Sequence, residues 1–194
     1  MNDTAAASRR FVFLDRDGVI NVELGEYTIY IEQLQWAEGS LAGIKKLNDA
    51  GFKIIVITNQ ACISKGLQTE EGLAKLHNHM KAHIEQAGGS ILAFYHCPHQ
   101  TPDNCFCRKP QPGMLVKAAE DYGINLPETF FIGDSRRDME AGRRAGTRTI
   151  LIDNGIDSDS PQTQFETGEF RVNNLLEATE IVIGESKRRS EKVK

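Results

Sequence analysis

Short apolar runs punctuate the chain, and each is followed by a stretch whose apolar residues recur at helical spacing. FVFLD at 11–15, KIIVITN at 53–59, ILAFYHC at 91–97, TFFIGD at 129–134 and TRTILID at 147–153 are continuous rather than alternating. That is the pattern of parallel strands buried on both faces. Between them Leu41, Ile44 and Leu47 mark one helical face, and Leu73, Leu76, Met80 and Ile84 another. Pro112 opens a third candidate helix that stops at Gly123, and Ser135 is placed to cap a fourth. Residues 153–169 have the composition of a long polar loop, and Leu175 to Ile183 reads as a closing helix. Strand alternating with helix predicts an α/β fold, a doubly wound parallel sheet flanked by helices.

A chain of 194 residues suits one domain with a full core. The expected organisation is one domain over 1–194, with a flexible start at 1–9, a metal-binding loop at 97–107 and a basic tail at 185–194. That tail, KRRSEKVK at its end, reads as a solvated helix end or a disordered segment. Apolar residues make up 40% and charged residues 26%, as in ordinary soluble proteins. The net charge of −4 leaves no basic excess to neutralise nucleic-acid phosphates. No apolar run approaches the roughly 20 residues that span a bilayer, and MNDTAAASRR has no apolar stretch of a secretory leader. A cytoplasmic monomer that binds neither nucleic acid nor membrane is expected.

The polar residues collect at one kind of place. Asp15, Thr58, Cys97 and Asp134 each close an apolar run, and the C-terminal edge of an open parallel sheet is where ligands bind. Asp15 and Asp17 stand two apart, and carboxylates so close need compensation, usually by a divalent cation. Alone, D-x-D arises often in turns. Cys97, His99, Cys105 and Cys107 are a second constellation, whose three thiols and one imidazole match a closed tetrahedral Zn²⁺ site. In a chain expected in the cytosol such a cluster reads as metal-binding rather than disulfide-bonded, and four ligands make it structural. His77, His79 and His83 read as surface or packing residues of a helix, although the 79/83 spacing could also bind metal. Cys62 reads as a small loop residue.

FVFLDRDGVIN (11–21), VITNQ (56–60), RKP (108–110) and FIGDSRRDMEAG (131–142) resemble, in order, the four motifs of the haloacid dehalogenase-type phosphatases. The resemblance implies that Asp15 attacks phosphorus and forms an acyl phosphate. It makes Asp17 the general acid and then the base, with a raised pKa. Thr58 would bind the phosphoryl oxygens, and Lys109 would supply positive charge beside the nucleophile. Asp15, the carbonyl of Asp17, and Asp134 would surround Mg²⁺, with Asp138 either a ligand through water or an exposed helix residue.

CPH…C-x-CRKP and NQACISKG (59–66) narrow the resemblance to the heptose-bisphosphate phosphatases. Histidinol-phosphate phosphatases share the zinc loop and remain an alternative. The resemblance implies a phosphosugar substrate, loss of the 7-phosphate of a heptose 1,7-bisphosphate, and a place in making lipopolysaccharide precursors. It would have Glu23, Gly25, Tyr27, Thr58, Asn59, Gln60, Ala61, Arg108, Lys109 and Ser135 contact substrate, with the forked Arg108 on the second phosphate. The spacings from Asp17 to Thr58 and from Thr58 to Lys109 leave no room for a cap domain, so an open site is expected. A catalytically idle zinc-binding interaction module on the same fold is the alternative from another class. Intact Asp15, Asp17, Lys109 and Asp134 speak against it.

Overall fold

The structure is a computed structural model that describes residues 10–153 and 169–192. Its sheet has six parallel strands, β1 (Arg10–Leu14), β2 (Phe52–Asn59), β3 (Ala93–Cys97), β4 (Phe130–Gly133), β5 (Arg148–Ile152) and β6 (Phe170–Val172). They lie in the order β3-β2-β1-β4-β5-β6, each hydrogen-bonded in parallel to its neighbours. Helices α1 (Ser40–Asp49), α2 (Glu70–Gln86), α3 (Gly113–Tyr122), α4 (Arg136–Ala145) and α5 (Leu175–Lys192) flank it.

The continuous apolar runs are explained by what covers each face. Successive side chains of a strand point to opposite faces. Val12 and Leu14 of β1 pack with Ile54 and Val56 of β2, Ile44 and Leu47 of α1, and Val182 of α5. Phe13 goes the other way, to Ile55, Ile57, Phe131, Leu115 and Ala118 of α3, and Ala141 of α4. A strand in such a sandwich has no solvent side on which to carry polar residues. Gly43 lets α5 approach α1 closely, because a Cβ there would meet the Leu175 backbone at 3.2 Å.

The order of the strands builds the site. β1 is central, with Leu14 in register with Val56 on one side and Ile132 on the other. Residues leaving the C-terminal ends of β1, β2 and β4 are therefore neighbours in space, although far apart in sequence. Between Asp17 and Thr58 lie a loop, a short 3₁₀ turn and α1, so no folded cap stands over this edge among the described residues.

Two expectations change. β6 is a strand of three residues with no warning in the apolar pattern. The closing helix does not stop near Ile183 but runs to Lys192, so Lys187, Arg188 and Arg189 are helical rather than part of a disordered tail. The start at 1–9 and residues 154–168 of the polar loop lie outside the described residues. Among the described residues no helix is long and apolar enough to cross a membrane.

Candidate active site

Asp15 follows β1 and is pinned there: its N–H donates to the Ile132 carbonyl at 2.8 Å, and its Oδ1 accepts the Arg16 N–H at 2.7 Å. Its Oδ2 faces Lys109 Nζ at 2.8 Å. Burial pushes the Asp15 carboxyl well above the ordinary carboxylate range, helped by the charge of Asp138 and, less, of Asp134, against the pull of Lys109. A buried carboxylate so disfavoured gains from any cation brought beside it.

Lys109 is 3% exposed and makes three contacts at once, to Asp15, to Asp138 Oδ1 at 2.6 Å and to the Ile57 carbonyl at 2.9 Å. Burial alone would lower its pKa, but Asp138 and Asp15 outweigh burial and hold it raised, so the ammonium stays charged. Asn59 fixes the backbone beneath it. The Asn59 amide donates to the Lys109 carbonyl at 3.1 Å and accepts the Lys109 N–H at 3.0 Å. That reciprocal pair is a use for Asn59 other than the substrate contact expected of it.

Asp138 is fully buried, so it is not the exposed helix residue of one sequence reading. It is the third residue of α4, and its Oδ2 accepts the Ser135 N–H at 3.0 Å and the Ser135 hydroxyl at 2.5 Å. Ser135 in turn caps the helix. A Cβ on Gly133 would lie 2.3 Å from Asp138 Cβ, so only glycine lets this carboxylate close over the strand end. Donor atoms of Asp15, Asp134 and Asp138 all lie within 4.8 Å of one another, a set suited to a hard divalent cation. Asp138 is engaged at both oxygens, Oδ2 by Ser135 and Oδ1 by Lys109.

Asp17 departs from expectation. Arg16 is 1% exposed and clamps it, with Nη2 at 2.8 Å and Nε at 3.1 Å from Asp17 Oδ1. Asn21 donates to Oδ1 at 2.9 Å and Gln60 to Oδ2 at 3.0 Å. Burial would raise the carboxyl, but the Arg16 charge and these hydrogen bonds outweigh it, so Asp17 is held below its ordinary pKa rather than above it. A phosphate dianion brought beside Asp17 would raise it, the direction that a proton-donating role needs.

Thr58 is 1% exposed, and its Oγ1 accepts the Gln60 amide at 2.8 Å, which leaves the hydroxyl proton free to be donated. Gln60 and Ala61 do not line the cleft; both side chains are buried, Gln60 as a support for Thr58 and Asp17. The cleft of about 450 Å³ is lined by Asp15, Asp17, Thr58, Lys109, Asp134 and Asp138, with Glu23, Gly25, Tyr27, Asn59, Arg108 and Ser135 also on its walls. Lys65, Arg137 and Glu26 line it too and were missed by sequence reasoning. Lys65 Nζ lies 5.0 Å from the Tyr27 ring centroid, within cation–π range. Burial raises the Glu23 pKa, against a hydrogen bond from the Gly25 N–H at 2.9 Å.

Cys97, His99, Cys105 and Cys107 converge as expected. Cys107 Sγ lies 3.1 Å from Cys97 Sγ, 3.4 Å from Cys105 Sγ and 3.2 Å from His99 Nδ1. Cys97 Sγ lies 3.6 Å from both His99 Nδ1 and Cys105 Sγ. Ligands about 2.0–2.3 Å from a tetrahedral zinc are spaced by roughly 3.3–3.8 Å, so the set comes close to that geometry, with Cys107 slightly tight. The loop is fastened to both its neighbours. The Gly113 N–H donates to the Phe106 carbonyl at 3.0 Å, and a Cβ on Gly113 would meet that oxygen at 2.4 Å. Arg108 Nη1 donates to the His99 carbonyl at 3.0 Å, so the loop sets where this guanidinium stands. The helical histidines behave differently from one another. His83 stacks on Trp36 with centroids 4.8 Å apart, His79 is exposed, and His77 is buried rather than at the surface.

The HAD-hydrolase-like family model matches residues 106–178. D-glycero-alpha-D-manno-heptose-1,7-bisphosphate 7-phosphatase of Photorhabdus laumondii is 36% identical over 179 residues, covering 87% of this chain and 97% of that protein. The D-glycero-beta-D-manno-heptose-1,7-bisphosphate 7-phosphatase of Pseudomonas aeruginosa is 36% identical over 148 residues, covering 76% of this chain and 83% of the relative. Among solved structures, the D,D-heptose 1,7-bisphosphate phosphatase of B. bronchiseptica, complexed with magnesium and phosphate, superposes with a TM-score of 0.84 at 31% identity, covering 91% of this chain and 99% of the other.

Proposed function

This chain belongs to the HAD-type heptose 1,7-bisphosphate 7-phosphatases, and from that premise we propose that it removes the 7-phosphate of D-glycero-D-manno-heptose 1,7-bisphosphate through an aspartyl-phosphate on Asp15. The observation that carries this reading is the cluster at the end of β1, where the buried Asp15 faces a charged Lys109 and shares a donor set with Asp134.

Asp15 attacks phosphorus as the bond to the leaving oxygen breaks, and Asp17 delivers a proton to that oxygen. Water then attacks the acyl phosphate, gives a proton back to Asp17, and frees Asp15 and inorganic phosphate. Lys109 favours the ionised form of Asp15 against its burial, and meets the charge on the phosphoryl oxygens. Thr58 donates its free hydroxyl proton to one of them. Asp15 and Asp134, with the Asp17 carbonyl, would hold Mg²⁺, which would supply positive charge against the nucleophile and the phosphoryl group. Arg108 receives the distal phosphate of an uncapped substrate, and the zinc loop holds Arg108 in place.

The test is phosphate release, with and without Mg²⁺, from both anomers of the heptose bisphosphate, from hexose bisphosphates and from histidinol phosphate. Relatives named for each anomer align with this chain, so both belong in the panel. The expected result is magnesium-dependent preference for a heptose bisphosphate, lost by many orders of magnitude in Asp15→Asn. Retention of more than about a tenth of the activity by that variant overturns the covalent route. Preference for histidinol phosphate overturns the substrate.

A further inference from the structure

The buried imidazole of His77 has no part in the reaction described above, and its surroundings give it one. Arg16 is among the largest fully buried side chains, at 1% exposure, and its guanidinium is shared among three elements. Nε and Nη2 grip Asp17. Nη2 also donates to the Thr28 carbonyl at 3.4 Å, in the loop that carries Tyr27. Nη1 points the other way, to His77 Nε2 at 3.5 Å. His77 projects from α2 and stacks on Phe94 of β3, with ring centroids 4.2 Å apart and planes 17° from parallel. The stacking fixes the ring plane, and the ring nitrogen then fixes where Nη1 lies.

We propose that His77 is a positioning residue for the acid–base step: by accepting from Arg16 it holds the guanidinium fork in the orientation that keeps the Asp17 carboxyl aimed at the leaving oxygen. This inference rests on the phosphatase reading. Nε2 must carry a lone pair to accept from an arginine, so the ring proton sits on Nδ1. Burial and the Arg16 charge push the His77 pKa down to about 3, which keeps the ring in that form at neutral pH. A planar fork is held by all of its contacts together, since turning it to satisfy one N–H displaces the others. With the acceptor gone, Nη1 is left unpaired in a dry pocket, and the fork turns towards another partner at the expense of Asp17.

Two esters separate positioning from packing. A sugar phosphate leaves as an alkoxide and depends on a proton from Asp17, whereas 4-nitrophenyl phosphate leaves without one. His77→Phe keeps the ring stacked on Phe94 and removes the acceptor, and His77→Gln returns an amide oxygen. The expected result for His77→Phe is a fall of about tenfold or more in kcat/KM for the sugar phosphate. The aryl ester should change by less than about threefold, KM should barely move, and His77→Gln should recover most of the loss. Equal losses on the two esters, or no rescue by glutamine, overturn the proposal. If His77→Phe does not fold, ¹⁵N NMR of the wild-type imidazole decides. An unprotonated, hydrogen-bonded Nε2 supports the geometry, and a proton on Nε2 overturns it. Failure of the phosphatase reading would appear in the wild-type rates, and failure of this inference in the ratio between the esters.

Discussion

Lys109 and Asp138 form an ion pair sealed from solvent, with Nζ 2.6 Å from Oδ1 and the two side chains 3% and 0% exposed. The pair joins the loop after β3 to the start of α4 and sets the direction from which Lys109 reaches Asp15. Removing Asp138 leaves the buried Lys109 with Asp15 still beside it, so the loss falls below the full penalty of an unpaired buried charge and is on the order of 2 kcal/mol. Asp138→Ala should therefore lower unfolding free energy in urea by an amount of that order and reduce turnover as Lys109 drifts. A change below about 1 kcal/mol would mean that water reaches Lys109 in the folded protein.

Arg108 makes one hydrogen bond to the zinc loop and turns the rest of its fork to the cleft. Arg108→Ala should erode the preference for a heptose bisphosphate over its monophosphate by roughly tenfold or more, since a charge-assisted contact contributes about 1.5–3 kcal/mol. Turnover of the monophosphate should change little. Matching losses on both substrates would place Arg108 at the reacting phosphate instead.

Metal analysis should find about one zinc per chain, and Cys105→Ser should lose it. Because the loop carries the His99 carbonyl that anchors Arg108, the variant should show a higher KM for the bisphosphate while the sheet still folds. Full activity in a zinc-free preparation would contradict this.

His77 makes stability depend on pH. Its folded pKa, about 3, lies below the ordinary histidine value of 6.5, so the unfolded chain binds this proton first. The contribution is complete above about pH 6.5 and is lost as pH falls towards 3. Between pH 7.5 and 5 the wild type should lose on the order of 2 kcal/mol through this group. His77→Gln, which has nothing to titrate, should lose that much less. Identical pH slopes in urea titrations of the two proteins would show that His77 is solvated.

β1, β2, β4 and β5 could be read from their apolar runs because burial on both faces leaves no room for polar alternation, and β3, half-buried at the sheet edge, from its apolar and aromatic content. β6 could not, since three residues carry no periodicity. Asp15, Thr58 and Asp134 converged because each stands at a strand end and β2, β1 and β4 are adjacent. His77, in the company of His79 and His83, was left open between surface and packing. Yet it lies four residues after Leu73 and three before Met80, on the buried stripe of α2, and that spacing was the usable signal. Asp138 stayed open because an N-terminal helix position can face inward or outward, and its partner Lys109 is remote in sequence. The expected rise in the Asp17 pKa failed for a similar reason. Gln60 supplies part of the opposing field from another strand end, and Arg16 swings inward where the motif alone shows only a charged neighbour.

The charges of the cleft are layered. Asp15 and Asp138 lie buried at its floor, while Lys65 and Arg137 stand exposed on its walls. An incoming phosphate dianion is drawn in by the outer layer and repelled by the inner one until a cation sits there. Binding should therefore be ordered in time, cation first and ester second. Inorganic phosphate, which leaves by the same route, should compete with substrate only in the cation-loaded protein and should trap the cation while it stays.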